Sequence, residues 1–283
     1  MTMKSTTVFF KKISSSIAAC VMALALGAPL SAEEGGISKM VPFDSEEVAI
    51  NLEIGDMASR SGDYDSAISA YSRAYLLDNK NFAAIYNLAY TYQMKGALKE
   101  ALKYYKVSMR MDEKRFEPYL NSGAIYMIEN RRDLASEMFK EALKIEPGNI
   151  SAIFNLAIID IDGADYKSAL ARLDGALNTP GEKTGRDYYG LMLKKALCHV
   201  ALGELEAAAK CLNFQSDDSM EEIEKFYLTG CMLHKSGKTS EAAAAFQKAV
   251  GLAGTPETEG ILKTLEEKIA QFKSTKKTGR ISN

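Results

Sequence analysis

The chain has little of what catalysis usually requires. It contains only two histidines, and it lacks a GxSxG, HExxH or CxxC motif, a phosphate-binding P-loop and a glycine-rich dinucleotide turn. General acid–base chemistry would therefore depend on carboxylates, and no pair of carboxylates stands out from the charged faces of the predicted helices. These absences predict a protein that is not an enzyme and that uses no cofactor.

A zinc site is the one catalytic alternative that the sequence leaves open. Cys231 and His234 lie one turn apart on a predicted helix, and Cys198 and His199 lie on the helix expected beside it. Single Cys and His residues scattered over one helix layer are more often core residues than ligands. We therefore expect no metal, and a metal-dependent enzyme ranks third among the functions considered.

The chain also has few prolines, few cysteines and a small net charge. Six prolines in 283 residues, together with many Ala, Leu, Lys, Glu and Met residues, favour an all-α chain. Three cysteines, Cys198, Cys211 and Cys231, follow the first 32 residues, and this odd count without a framework spacing argues against a disulfide scaffold, although one pair can still form in an oxidising compartment. The formal net charge is −2, so nothing drives the chain toward nucleic acid.

The first 32 residues differ from the rest. Three lysines and no acidic residue precede an apolar run at 13–28, which ends in Pro29-Leu30-Ser31-Ala32. The run is shorter than the roughly 20 apolar residues of a membrane span. This profile predicts a signal peptide over 1–32 that is cleaved after Ala32, and hence export to the periplasm or the extracellular space. Two alternatives remain: a lipidated Cys20, which would add a peripheral association with the outer membrane, or an uncleaved anchor.

An internal repeat of 34 residues decides the fold class. Numbering each repeat from its first residue, with Val48 as position one, position twenty is always Ala, position eight is Gly or Ala, and position twenty-four is large. Small residues allow two helices to approach closely, and the large residue fills the space beside them. The repeats, called repeats 1 to 6 below, span 48–81, 82–115, 116–149 and 150–183, and then 189–222 and 223–256 after an insertion at 184–188.

Gly or Asn marks the bend between the two helices of most repeats, where a positive φ is expected. Gly62, Gly96, Gly203 and Gly237 lie at position fifteen, Asn130 takes that position in repeat 3, and Gly163 comes one residue early in repeat 4.

The residues at positions eight, fifteen, twenty and twenty-four, together with Pro147, resemble the tetratricopeptide repeat family over 48–256. The predicted signal peptide makes the chain similar to exported bacterial members of that family. The resemblance implies a right-handed α-solenoid of about six helix-turn-helix units. Asn51, Asp160, Lys195, His199 and Thr229 depart from the family's usual Trp, Tyr or Leu, so repeats 5 and 6 match less closely. We predict an N-terminal segment at 33–47, a C-terminal capping helix at 257–272 and a disordered tail at 273–283.

In this family the first helix of each repeat lines a concave groove, which here would be unusually apolar. The groove residues that the resemblance implies are Tyr86, Asn87, Tyr90, Met94, Leu120, Asn121, Ile128, Phe154, Asn155 and Ile158. In the family, the Asn at position six can hold the backbone of a bound peptide, but the same Asn can also bond between helices. The groove can equally be filled by the protein's own segment at 35–45 or by packing between neighbouring helices.

The resemblance therefore implies an interaction scaffold or assembly chaperone of the cell envelope, whose partner is a protein or peptide. A self-assembling structural protein, which docks copies of itself through the same groove, is the alternative. In that case the chain would be a homo-oligomer.

Overall fold

A computed structural model of the protein describes residues 45–179 and 185–253. Within these residues there are twelve α-helices and no β-strand, which confirms the all-α class and the helix-turn-helix organisation. None of these helices is long and apolar enough to cross a bilayer. The predicted signal peptide at 1–32, most of the segment at 33–47, the capping helix at 257–272 and the tail at 273–283 lie outside the described residues.

The chain divides after Asn155 into two compact units. We call its described parts the N-terminal unit (45–155) and the C-terminal unit (156–179 and 185–253). The N-terminal unit contains α1 Ser45–Ser61, α2 Tyr64–Leu77, α3 Phe82–Met94, α4 Leu98–Met111, α5 Glu117–Ile128 and α6 Arg132–Ile145. Helix α7, Ile150–Asp162, contains the division. The C-terminal unit continues with α8 Tyr166–Asn178, α9 Gly185–Leu202, α10 Leu205–Cys211, α11 Ser219–Lys235 and α12 Thr239–Leu252.

Each repeat of the N-terminal unit is a hairpin whose helices pack on each other and on the next hairpin. Helix α1 packs on α2, α3 on α4 and α5 on α6, while α2 contacts α3 and α4 contacts α5. Side-chain caps fix where several helices begin: Asn81 accepts a hydrogen bond from the Ala84 backbone N–H at 3.0 Å, and Asp63 accepts one from Ser66 at 3.1 Å. Such caps satisfy backbone donors that have no partner inside the helix.

The small and large columns meet inside the hairpins. A Cβ added to Gly123 would lie 2.6 Å from a ring carbon of Phe139, and one added to Gly55 would lie 2.5 Å from the ring of Tyr71. In the C-terminal unit, Gly230 is equally close to Phe246. In these three repeats, the aromatic ring at position twenty-four therefore packs directly against the backbone at position eight.

The bend falls at position fifteen in every repeat, whatever residue stands there. Gly62, Gly96, Gly203 and Gly237 have φ between 79° and 83°, and Asn130 has φ 59°. In repeat 4 the positive φ, 61°, belongs to Ala164, and the expectation that Gly163 marks this bend was wrong. The reason is that the 34-residue register sets the lengths of the packed helices. These lengths determine where the turn falls, so the residue at position fifteen has to adopt a positive φ.

We expect Ala164→Gly to stabilise the C-terminal unit by about 1 kcal/mol, because glycine adopts a positive φ without the steric penalty that alanine pays there. Urea unfolding followed by circular dichroism measures the change. Gly163→Ala is the matched control and should be nearly neutral, since an added Cβ would meet only ordinary contacts at 3.5 Å. Destabilisation by Ala164→Gly would contradict the assignment of the bend.

The fifth hairpin is irregular. Its first helix, α9, has 18 residues and begins at Gly185, so most of the predicted insertion is helical, whereas its second helix, α10, has only 7 residues. The chain after α10 is held by Phe214, whose ring stacks on Tyr189 with centroids 4.7 Å apart. The Lys225 ammonium donates to the carbonyl oxygen of Phe214 at 2.8 Å and lies over its ring. These contacts replace the missing turns of the second helix.

Candidate protein-interaction surface

The residues predicted to line the groove lie on the first helices α3, α5 and α7, and they differ widely in exposure. The apolar side chains at position five, Tyr86, Leu120 and Phe154, are buried. The three asparagines at position six, Asn87, Asn121 and Asn155, are buried as well. Tyr90 and Ile158 are half-buried, whereas Met94 and Ile128 are exposed.

Asn87 belongs to a polar cluster that joins three helices. The Tyr71 hydroxyl on α2 donates to the Asp56 carboxylate on α1 at 2.5 Å, and the Asn87 amide on α3 lies 3.5 Å from the same oxygen. Burial, followed by the hydrogen bond to Asp56, raises the pKa of Tyr71. The phenol therefore stays protonated and acts as a donor.

Asn121 belongs to a second cluster, one repeat further along the chain. Its amide nitrogen donates to the Tyr86 hydroxyl at 2.9 Å and to the Tyr105 hydroxyl at 3.1 Å. The Tyr105 hydroxyl in turn donates to the Gln93 side-chain oxygen at 2.7 Å. Burial raises the pKa of both Tyr86 and Tyr105, so both phenols remain neutral. This cluster joins α3, α4 and α5.

The hydroxyl at position twenty-four explains why the third asparagine behaves differently. Repeats 1 and 2 carry Tyr71 and Tyr105 there, but repeat 3 carries Phe139, which has no hydroxyl to offer. Asn155 donates instead to the Ser151 carbonyl of its own helix at 2.9 Å. The structure thus shows helix-joining bonds at Asn87 and Asn121, and a contact of these amides with a ligand stays a prediction.

The accessible part of the predicted groove in the N-terminal unit is small and apolar. Met94 is 37% exposed and Ile128 is 45% exposed, and the two occupy position thirteen of consecutive repeats. Half-buried Tyr90 lies one turn before Met94 on the same face of α3. Burial, followed by the nearby Tyr64, raises the pKa of Tyr90. The accessible side chains of the predicted groove in this unit are therefore uncharged.

The C-terminal unit has a charged pair at the corresponding positions. Lys194 takes position six of repeat 5, and its ammonium lies 2.5 Å from the carboxylate of Glu224 on α11. Both side chains are only 5% exposed. The neighbouring Leu193, Leu197 and Val200 on α9 are buried too, so this first helix presents little apolar surface at these positions.

The residues considered for a zinc site have other surroundings. Cys198 is buried, which raises the pKa of its thiol to about 12, and the His199 ring lies 2.6 Å from the Glu204 carboxylate. Among the residues that the structure describes, no group of three or more His, Cys, Asp or Glu side chains is arranged to hold a metal ion.

Sequence reasoning missed the members of the two polar clusters that lie outside position six. Asp56 and Gln93 look like ordinary helix residues, and the sequence pattern indicates only a space-filling role for Tyr71 and Tyr105 at position twenty-four. The available signal was the coincidence of a tyrosine at position twenty-four with an asparagine at position six of the next repeat, which occurs for Tyr71 with Asn87 and for Tyr105 with Asn121.

Comparison with known proteins finds tetratricopeptide repeats in this chain. Two family models described as tetratricopeptide repeat match residues 58–117 and 116–149. Photosystem I assembly protein Ycf3 of Acaryochloris marina is 26% identical over 144 residues, which are 44% of this chain and 87% of that protein.

Two of the solved structures that match this chain illustrate the shared fold. Pseudomonas aeruginosa PilF has a TM-score of 0.60 at 16% identity, over 77% of this chain and 97% of its own. YrrB, described as a TPR protein with an unusual peptide-binding site, has a TM-score of 0.54 at 18% identity, over 71% of this chain and 99% of its own.

Proposed function

The chain belongs to the tetratricopeptide repeat family, and we propose that it is a non-enzymatic scaffold or assembly chaperone that holds a segment of another polypeptide. The observation that carries the proposal is the exposure of Met94 and Ile128 at the same position of consecutive repeats. Apolar side chains that stay accessible on a well-packed helical frame favour binding over a purely internal role. Methionine adapts to partners of different shape because its side chain is unbranched and polarizable.

The buried clusters support this proposal indirectly. The Asn87 and Asn121 amides tie α3 and α5 to their neighbours, so the helices that carry Met94 and Ile128 are held in fixed positions. A contact surface on a rigid frame loses less conformational entropy on binding than a mobile one. In this proposal Tyr90, Met94 and Ile128 make direct contacts, and Tyr86, Leu120, Phe154 and the three asparagines shape and support the surface.

The partner that fits best is an apolar extended segment or the apolar face of an amphipathic helix. The accessible side chains are uncharged, so affinity would come mainly from apolar burial. The curated name of the Acaryochloris relative describes an assembly protein, which is a precedent for such a role in a protein of similar sequence. The predicted leader at 1–32 supports export, and we propose that the chain serves an assembly in the cell envelope.

Selection from a random peptide display library on the purified protein tests this function. We expect enrichment of peptides with spaced large apolar residues. The double variant Met94→Glu/Ile128→Glu should bind the enriched peptides at least about tenfold more weakly, because a charge on each contact side chain would have to be desolvated. Fluorescence anisotropy with labelled peptides measures the affinities.

Leu252→Glu is the matched control, since Leu252 is 39% exposed and lies on α12 of the other unit. It should leave binding unchanged. Equal binding by the double variant and the unmodified protein would remove Met94 and Ile128 from the site.

A further inference from the structure

Helix α1 presents a second apolar surface, separate from the predicted groove. Ile50, Ile54 and Met57 are 48%, 43% and 55% exposed. Their spacing of four and then three residues places them on one face of the helix, opposite the buried Val48 and Leu52. Three large apolar side chains on one stripe of a 17-residue helix are more than the scattered exposure that is normal for a surface.

The repeat register shows what kind of surface this is. The three residues occupy positions three, seven and ten of repeat 1. The same positions are buried in the next two repeats, where they are Ala84, Leu88, Thr91, Pro118, Ser122 and Ile125. In repeat 2, Ala84 and Leu88 pack with Tyr71 and Ala74 of the preceding helix. The stripe on α1 is therefore a stacking face, and no helix precedes it within the described residues.

We propose that the α1 helix of a second copy covers this face, with the two helices antiparallel about a two-fold axis. In this arrangement Ile50 packs against the partner's Met57 at each end of the contact, and the two Ile54 side chains meet near the axis. An isologous pairing of this kind closes on itself and gives a dimer. Among the described residues, head-to-tail stacking finds no matching apolar face on the last helix, because the exposed middle of α12 consists of Ala243, Ala244, Gln247 and Lys248.

Charges on α1 favour the antiparallel orientation. Glu46 is exposed in the first turn and Arg60 is exposed in the last turn, so each Glu46 would lie beside the partner's Arg60. Opposed helix dipoles add to the attraction. Glu53 is exposed at the edge of the stripe, and it would approach its own counterpart near the axis. Because the contact is small and contains this repulsion, we expect a weak dimer with a dissociation constant on the order of 10 µM.

Sedimentation equilibrium of the purified protein tests the pairing. Protein concentrations from about 1 µM to about 1 mM cover the dissociation constants expected for a contact of this small area. We expect a monomer–dimer equilibrium that Ile54→Glu weakens at least about tenfold, because the charge falls at the axis. Leu252→Glu should leave the equilibrium unchanged. A monomer at all concentrations, or a dimer that Ile54→Glu does not affect but Met94→Glu does, would overturn the proposal.

Charge exchange tests the orientation. Glu46→Arg and Arg60→Glu should each weaken the dimer about threefold, and the double variant should restore it, because each restored pair is a modest surface ion pair. Failure of the double variant to restore the dimer would overturn the antiparallel arrangement. If the protein stays monomeric and Ile54→Glu lowers its melting temperature, another part of the same chain covers α1 and the proposal is wrong.

Discussion

Replacing Lys194 by methionine is expected to lower the free energy of unfolding of the C-terminal unit by about 3–5 kcal/mol. The Lys194 ammonium and the Glu224 carboxylate are 2.5 Å apart, and both side chains are 5% exposed. Their mutual attraction offsets the loss of water around each charge. Lys194→Met removes one partner and leaves the buried Glu224 carboxylate without the ammonium that offsets its loss of water, so the desolvation penalty falls on the folded state.

Two further variants separate this effect from a simple change of side-chain volume. Lys194→Met/Glu224→Met removes both charges and should recover most of the lost stability, since a buried ion pair is often replaceable by apolar side chains. Lys238→Met breaks the exposed pair with Glu241 and should change stability by less than about 0.5 kcal/mol. Urea unfolding followed by circular dichroism gives all three values. A double variant as unstable as Lys194→Met would show that the charge is not the cause.

Replacing Gly123 by alanine is expected to destabilise the N-terminal unit by about 2 kcal/mol, because the added methyl group would overlap the Phe139 ring. The ring carbons lie 2.6–2.9 Å from the position of the new Cβ. The ring is rigid and buried on all sides, so relief requires the two helices of the hairpin to separate. In repeat 2, Ala89 lies opposite Tyr105, so a hairpin of this type can accommodate a methyl group at position eight. The hairpin of repeat 3 leaves no space for one.

Gly175→Ala is the control with the opposite sign. Gly175 lies inside α8, is exposed, and would have no atom within 4 Å of its new Cβ. Alanine should stabilise the helix there by about 0.5–1 kcal/mol through its higher helix propensity. Thermal and urea unfolding measure both variants. Stabilisation by Gly123→Ala would contradict the close packing of position eight on position twenty-four.

The 34-residue period of the sequence is enough to predict most of the fold. Periodic Ala67, Ala101 and Ala135, together with the large residues four positions later, predict paired helices of fixed length, and the hairpins have them. The period even overrides residue identity at the bend, since Ala164 adopts the positive φ although Gly163 is next to it. Every packed position contributes to the register of a repeat. Many weak sequence preferences therefore agree on one register, and together they make it predictable.

The candidate site was less predictable, because exposure depends on neighbours that are distant in the sequence. Tyr86 and Met94 look equally available on a helix, yet Tyr86 is covered by contacts with Phe82, Tyr105 and Asn121. The buried Lys194–Glu224 pair joins residues 30 positions apart, so no local pattern indicates it. The short α10 was also not expected, because the sequence continues to resemble a repeat after the helix has ended.

Because α10 is short, the stability of the fifth hairpin depends on side-chain contacts. Starting a helix requires several residues to be ordered before many hydrogen bonds form, and two turns are too few to recover that loss in isolation. Helix α10 therefore depends on tertiary packing, which the buried Ala208 and Cys211 provide within the helix and Phe214, between Tyr189 and Lys225, provides just after it. If that aromatic ring is displaced, the chain that follows α10 loses the contacts that hold it. We therefore expect the segment from α10 to Phe214 to open at a lower free energy than the longer helices around it.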